Sequence, residues 1–331
     1  MSGTRAIDMH SHYYGGLVDD LIDRPERPYV TRADDGALTL HAMTASTLIS
    51  PGYVDLDARL GFMDANGIAS QLMTFPGALG VDVIPGQTVR DAIVRFNTRL
   101  AAICRDSGGR FHGLAGLPLA DIGAATLEMR RIRRDLRLAG AILPGNYFLS
   151  VENVGRLLPI FEAANEERAL LMIHPGLMTG ESAPSAYADN NVQRSSALAL
   201  QASLSQMGLT VVAERLAERF PDIVFQLVNL GGTLPFVIER MEAVALSREP
   251  FTPFPRGALR GMVYDCASLG PRALQLAVQV FGADRIVIGT DYPIFRPDVV
   301  RETVAAAELT EANRDRILHG TAAEIFARVY G

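Results

Sequence analysis

An α/β fold, a parallel sheet closed into a (β/α)8 barrel, is what this sequence predicts, and three observations carry the prediction. Eight short apolar runs alternate with longer segments whose apolar residues recur at three- and four-residue spacing, the pattern of strand followed by helix. The length of 331 residues suits one barrel unit as well as it suits two smaller domains. No G-x-G-x-x-G turn follows a strand, which removes the main argument for an open, doubly wound, dinucleotide-binding sheet.

In chain order the strands are read at 5–12, 69–75, 111–117, 138–143, 169–174, 223–229, 261–266 and 285–290. Between them, Leu56, Leu60 and Met63, or Val154, Leu157, Leu158 and Phe161, repeat with the period of a helix that covers a sheet. Two connections are too long for plain turns, Tyr13 to Val54 and Pro175 to Val192. Both leave the carboxyl end of a strand, the face on which barrels build active sites, so both are read as lids or pocket walls. No Gly/Ser-rich linker, internal repeat or low-complexity tract marks a boundary, and residues 1–331 are read as a single domain.

With 48% hydrophobic and 21% charged residues, the composition excludes disordered, fibrous and disulfide-scaffold classes. A net charge of −6 without a basic run gives no electrostatic footprint for nucleic acid or an anionic membrane. The start, MSGTRAIDMHSHYY, lacks an apolar region behind a basic end, and no later stretch reaches the roughly 18 uninterrupted apolar residues of a membrane span. A cytoplasmic location is expected. Cys104, in a helical pattern, and Cys266, at a strand end, read as reduced thiols packed as small apolar groups.

Chemistry concentrates in the histidines. There are six, and His10, His12 and His174 fall at the ends of strands. Residues two apart in a strand point to the same side, so Asp8-Met9-His10-Ser11-His12 presents two imidazoles in one direction. That is the geometry of a metal clamp. His174, closing Leu170-Leu171-Met172-Ile173, reaches the same rim if both strands belong to the barrel. Imidazole suits Zn, Fe, Ni or Cu, and catalytic zinc commonly keeps three protein ligands and an open position. A lone histidine at a strand end is more often structural, but a His-x-His pair with a third His ending another strand reverses that expectation. Asp291 follows Ile286-Val287-Ile288-Gly289-Thr290 and delivers a carboxylate to the same face, where it can ligate metal, exchange a proton or do both.

These residues, with Met172-Ile173-His174-Pro175, Gly231-Gly232-Thr233-Leu234-Pro235-Phe236 and Gly289-Thr290-Asp291-Tyr292-Pro293, resemble the amidohydrolase superfamily. The likeness is to the branch that contains aminocarboxymuconate-semialdehyde decarboxylase and γ-resorcylate decarboxylase. It extends to Asp57-Ala58-Arg59-Leu60-Gly61-Phe62-Met63-Asp64, Gly113-Leu114-Ala115-Gly116-Leu117-Pro118-Leu119 and the final helix, covering nearly the whole chain. The resemblance implies a distorted (β/α)8 TIM barrel with long active-site loops after strands one and five. It implies one divalent metal, zinc or in some members manganese, held by His10, His12, His174 and Asp291. The implied reaction is non-oxidative decarboxylation of a small aromatic or unsaturated acid, with hydrolysis and hydration in related members.

One departure from the family pattern matters. Where such proteins end strand six in a histidine that acts as acid/base or orients the metal-bound water, this chain has Asn229, which forms hydrogen bonds but exchanges no proton near neutral pH. Position 232, often Glu in the resorcylate-type pattern, is Gly. Three readings stay open. Asp291 alone carries the proton of a decarboxylation, or Asn229 orients water for hydrolysis or hydration with Asp291 as base, or the chain is a metal-binding homologue without turnover.

An acidic substrate calls for a cation besides the metal, and Arg24, Arg27, Arg32 and His41 lie on the first long connection. His41 is also the candidate to fold over the metal and supply the missing imidazole. Tyr13 and Tyr14 follow the clamp, and Phe75 and Asn146 end strands two and four, so Tyr13, Arg32, His41, Phe75 and Asn146 form the expected substrate-binding set. His112 and His319 read as structural. A homo-oligomer is expected from the resemblance, with a small-molecule acid as the partner and neither nucleic acid nor membrane.

Overall fold

All eight expected strands form, and they lie side by side in one parallel sheet. The computed structural model describes residues 5–22, 24–43, 46–182, 193–267 and 269–331, with backbone alone at 196 and 297–299. The strands are β1 (Ala6–His12), β5 (Ile68–Thr74), β6 (Phe111–Ala115), β7 (Gly140–Pro144), β8 (Leu170–His174), β9 (Val224–Leu227), β10 (Met262–Asp265) and β11 (Ile286–Val287), hydrogen-bonded in that order. The intervening β2 (Tyr29–Arg32), β3 (Leu38–His41) and β4 (Ser46–Leu48) make a separate antiparallel sheet.

Helices return the chain between the parallel strands. Two of them start on an aspartate: Asp55 accepts from the N–H groups of Asp57 and Ala58 at the head of Leu56–Ala65, and Asp121 accepts from Ala124 N at the head of Ile122–Arg134. The helix Gln87–Asp106 turns Val89, Ile93, Phe96 and Leu100 into the core. Gly140 permits the close approach of β7 to β8, because a Cβ there would lie 1.9 Å from Leu170 O.

The barrel is nearly closed. No continuous ladder joins β11 to β1, but Met9 N–H donates to Ile288 O at 2.9 Å, Asp291 N–H to His10 O at 2.8 Å and His12 N–H to Tyr292 O at 2.7 Å. β11 is two residues long, shorter than the predicted 285–290, because the chain leaves the ladder to make these seam bonds. β9 likewise stops at Leu227, and Asn229 enters a tight turn instead of ending the strand.

The first long connection, expected as a loop, carries the β2–β4 sheet, and Met43 N–H ties it to Leu79 O beyond β5 at 3.0 Å. Of the second, residues 183–192 lie outside the described residues. The helical stretch Gln193–Ala213 is long and apolar enough to cross a membrane by length and composition alone. Its Leu204, Met207 and Val211 are buried in the core, as in a helix that covers a barrel. Both cysteines are free, Cys266 buried and Cys104 partly so, as expected.

Candidate active site

His10 and His12 point to one side of β1, and the network behind them fixes that strand. Asp8, deeper on the same face, accepts from Thr290 Oγ at 2.6 Å and Gln71 Nε2 at 2.7 Å, and its other oxygen accepts from Thr290 N at 2.9 Å. Burial raises the Asp8 carboxyl above the ordinary range in spite of these donors. Behind β1, the fully buried Arg59 donates to Ser11 Oγ, Gln71 Oε1, Gly52 O and His12 O. Burial lowers its guanidinium to about 10. The two terminal nitrogens of Arg59 are taken up by the clamp strand, Gln71 and Gly52.

His10, His12, His174 and Asp291 converge: one ligand atom from each lies within 4.8 Å of all the others, and all four residues are buried. The three rings stand nearly perpendicular to one another, with centroids 5.0 to 5.2 Å apart. Asp291 Oδ1 lies 3.0 Å from His12 Nε2 and 3.6 Å from His10 Nε2. Yet His10 Nε2 and Asp291 Oδ1 are buried without a hydrogen-bond partner. Orphaned buried polar atoms are costly, and ligand atoms of this kind that converge on a common point fit a divalent cation. The residues present therefore indicate a divalent-metal site.

The outer nitrogens support this. His174 Nδ1 lies 3.0 Å from Pro175 O, and a carbonyl only accepts, so the proton is assigned to Nδ1 and the Nε2 lone pair is left to face the cluster. His12 Nδ1 meets Thr74 Oγ at 3.0 Å. His10 Nδ1 faces Asp265 Oδ2 at 3.1 Å, the carboxylate–histidine arrangement that orients a metal-binding ring.

Electrostatics separate the three imidazoles. Burial works against protonation of His10, but Asp265 and Asp291 outweigh it and push the ring up to about 9. Burial prevails at His12 and lowers it, and at His174 burial and the neighbouring His12 and His10 push it well below its usual value. Burial would raise Asp291, yet His10, His12 and His174 hold it below the ordinary carboxylate range. A cation competes with the proton on His10 for the same lone pair.

Asp265 is the residue beside the cluster that sequence reasoning missed. It ends β10 directly before Cys266, where the apolar run drew the reading to the thiol. One oxygen faces His10 and accepts from Gln226 Nε2 at 3.2 Å, while the other accepts from Asn229 N at 3.1 Å and Ala267 N at 3.2 Å. Asn229 is thus one carboxylate away from a proposed ligand. It sits at φ 53°, followed by Leu230 at φ 54°, and asparagine tolerates that left-handed region better than most residues. Its Oδ1 is buried and unpartnered. Gly232, the other departure, has φ +69°, and a Cβ would lie 2.0 Å from Gln201 O, so no carboxylate fits there without moving the neighbouring helix.

The expected substrate-binding residues fare unevenly. Tyr13 turns away from the cluster, towards Phe96 and under Arg59, whereas Tyr14 approaches His12 with centroids 6.5 Å apart and stacks on Tyr53. Phe75 packs against Phe96 and the bare Gly116, on the outside of the sheet. The reason is alternation: His12 and Thr74 point inwards, so residues 13 and 75 point out. Arg32 is exposed at the end of β2, and Arg27 donates to Ala42 O at 2.7 Å. His41 uses both ring nitrogens inside the small sheet, Nε2 with Thr31 Oγ at 2.9 Å and Nδ1 with Ser46 Oγ at 3.0 Å, and it stacks on Tyr29. It does not join the four-residue cluster. Asn146 stays on the rim, donating to Glu181 Oε2 at 2.8 Å and, through its N–H, to Gly176 O at 3.1 Å.

Comparison with known proteins bears on both fold and site. A family model described as Amidohydrolase matches residues 7–328. The 2-amino-3-carboxymuconate-6-semialdehyde decarboxylase of Dictyostelium discoideum is 24% identical over 278 residues, 82% of this chain and 76% of that protein. The gamma-resorcylate decarboxylase of Rhizobium sp. (strain MTP-10005) is 26% identical over 291 residues, 82% of this chain and 86% of that protein. Among solved structures, a dihydroxybenzoic acid decarboxylase from Polaromonas sp. JS666, with bound manganese and the inhibitor 2-nitroresorcinol, superposes with a TM-score of 0.74 at 20% identity, covering 98% of this chain and 97% of that one. That likeness establishes a shared barrel fold.

Proposed function

This chain belongs to the amidohydrolase family, and from that premise we propose that it is a metal-dependent carboxy-lyase that removes carbon dioxide, without oxidation, from a small aromatic or unsaturated carboxylic acid. The observation that carries the reading is the convergence of His10, His12, His174 and Asp291 on one point. Its curated relatives, decarboxylases by name, support the same chemistry.

His10, His12, His174 and Asp291 are the ligands in this reading, and zinc is the proposed ion because three imidazoles with one carboxylate suit it. Manganese, bound in the Polaromonas structure, is the alternative. When bound, the ion supplies fixed positive charge for the substrate carboxylate and polarises a neighbouring oxygen. Arg59 is not placed for that part, since both of its terminal nitrogens are engaged behind β1.

Asp291 is the proposed proton carrier. With Oδ1 turned to the other ligands, the second carboxyl oxygen of Asp291 carries the proton that passes to the carbon bearing the carboxylate. The π electrons form the new C–H bond, the carbon–carboxylate bond breaks, and its electron pair restores the π system as carbon dioxide leaves. Asp291 is left as carboxylate and is reprotonated from solvent. Asn229 Oδ1, an unpartnered acceptor, orients the substrate from the side of β9. We further assign residues 1–331 to one barrel domain in a cytoplasmic homo-oligomer whose partner is the small acid, with neither nucleic acid nor membrane. The net charge of −6 supports the last point.

The test is incubation of metal-loaded protein with hydroxybenzoates, muconate-like acids, lactones and amides. Carbon dioxide release is expected. Ring opening or water addition would instead make the chain a hydrolase or hydratase, and silence with metal retained would make it a binding homologue. Asp291→Asn should lower turnover more than about 100-fold while metal is still bound; full activity would place the proton carrier elsewhere.

A further inference from the structure

Asp82 has no part in the chemistry above, and its surroundings give its side chain no structural work. It lies between β5 and the helix Gln87–Asp106, on the carboxyl-terminal face of the barrel, and is fully buried. Among the described residues neither carboxyl oxygen has a hydrogen-bond partner. The segment is anchored by main chain instead: Leu119 N–H donates to Asp82 O at 2.8 Å. Burial pushes the carboxyl up to about 8. A leucine would satisfy such surroundings at lower cost than an unpaired carboxyl.

Placement gives the carboxyl a direction. Asp82 Oδ2 packs against Gly77, where a Cβ would meet it at 3.3 Å and Ile142 Cγ2 at 3.5 Å. Ile142 pairs in register with Met172, as Pro144 does with His174, so Ile142 belongs to the inward-facing row that ends in the ligand His174. Gly77 O also lies 3.1 Å from where a Cβ on Gly176 would sit, two residues beyond His174. The carboxyl therefore sits beside the inward-facing row of β7, at the end of the barrel that carries His174 and the other three ligands.

We propose that Asp82 is a specificity-determining residue whose carboxyl receives a hydrogen-bond donor, a hydroxyl or amino group, on the end of the substrate remote from the carboxylate held at His10, His12, His174 and Asp291. The proposal rests on the aromatic- or unsaturated-acid reading and narrows it to acids with a distal donor. A carboxyl offers lone pairs in either protonation state, and a substrate donor there satisfies atoms that the protein leaves unpaired.

The test uses the metal-loaded full chain and equilibrium binding of benzoate and of 3-hydroxy-, 4-hydroxy-, 3-amino- and 4-aminobenzoate. Wild type should bind at least one substituted acid about tenfold more tightly than benzoate, the effect of one well-placed hydrogen bond. Asp82→Leu should reduce that ratio to near one with benzoate affinity unchanged, and its ligand-free Tm should equal or exceed that of wild type. Asp82→Asn, nearly isosteric, should keep part of the preference and carries the test if the leucine variant does not fold. A ratio unchanged in the variants, no preference in wild type, or a lower Tm for Asp82→Leu that Asp82→Asn restores would overturn the proposal while leaving the decarboxylase reading intact. Failure of every benzoate to bind wild type would overturn both.

Discussion

His10 and His112 stand at opposite ends of the same barrel and are driven in opposite directions. His112, near the start of β6, lies tilted against Phe326 with centroids 4.0 Å apart and meets Tyr330 Oη at 3.4 Å; burial alone pushes it down to about 4. His10, on β1, is more deeply buried, yet Asp265 and Asp291 outweigh that burial and hold it near 9. Burial by itself makes an imidazole an inert aromatic group. Burial with carboxylates on two sides makes it a site for positive charge, whether proton or metal.

The comparison breaks most visibly if the two ends respond alike to substitution. His12→Ala should remove bound metal and lower turnover by at least about 1,000-fold, since a site with one ligand fewer loses both ion and geometry; elemental analysis beside a carbon dioxide assay reads both. Asp265→Asn sharpens it. With the partner of His10 made neutral, metal affinity should fall about 10- to 100-fold, measured by competition with a chelator, while excess metal restores most of the turnover. An unchanged affinity would reduce Asp265 to a scaffold residue.

Asn229→Ala should lower kcat more than about tenfold, the loss of one oriented polar group, with metal content unaltered. His112→Leu should leave kcat and metal content as they are and change only the acid stability profile. The folded-state value of His112 lies below that of the unfolded chain, about 6.5. As pH falls, the unfolded chain takes up a proton that the folded ring refuses, so the contribution is intact above pH 6.5 and is lost as pH drops toward 4. The Tm of the leucine variant should therefore decline less than that of wild type over that interval, and parallel declines would show that His112 is solvated.

Much of this architecture was legible because parallel strands buried on both faces read as continuous apolar runs, and all eight were found within a few residues. The clamp was legible because the two-residue period of a strand places His10 and His12 on one side. The same period also predicts that Tyr13 and Phe75 face outward, since they neighbour inward residues, so the information for that correction lay in the sequence. The β2–β4 sheet was not legible: its strands are three or four residues long, and pairing rather than periodicity defines them. Asp265 and Asp82 escaped for another reason. A single carboxylate gives no repeating signal, and only three-dimensional neighbours distinguish an ion-pairing aspartate from an orphaned one.

The incomplete seam between β11 and β1 has a consequence for the whole molecule. Its two lips are the segments that carry His10 and His12 on one side and Asp291 on the other, stitched by a few main-chain bonds. In the proposed site, a cation gripped from both lips would cinch the first strand of the ring to the last. Stripping it with a chelator would loosen the hoop as well as silence the chemistry, so loading with metal and the barrel's resistance to unfolding rise and fall together.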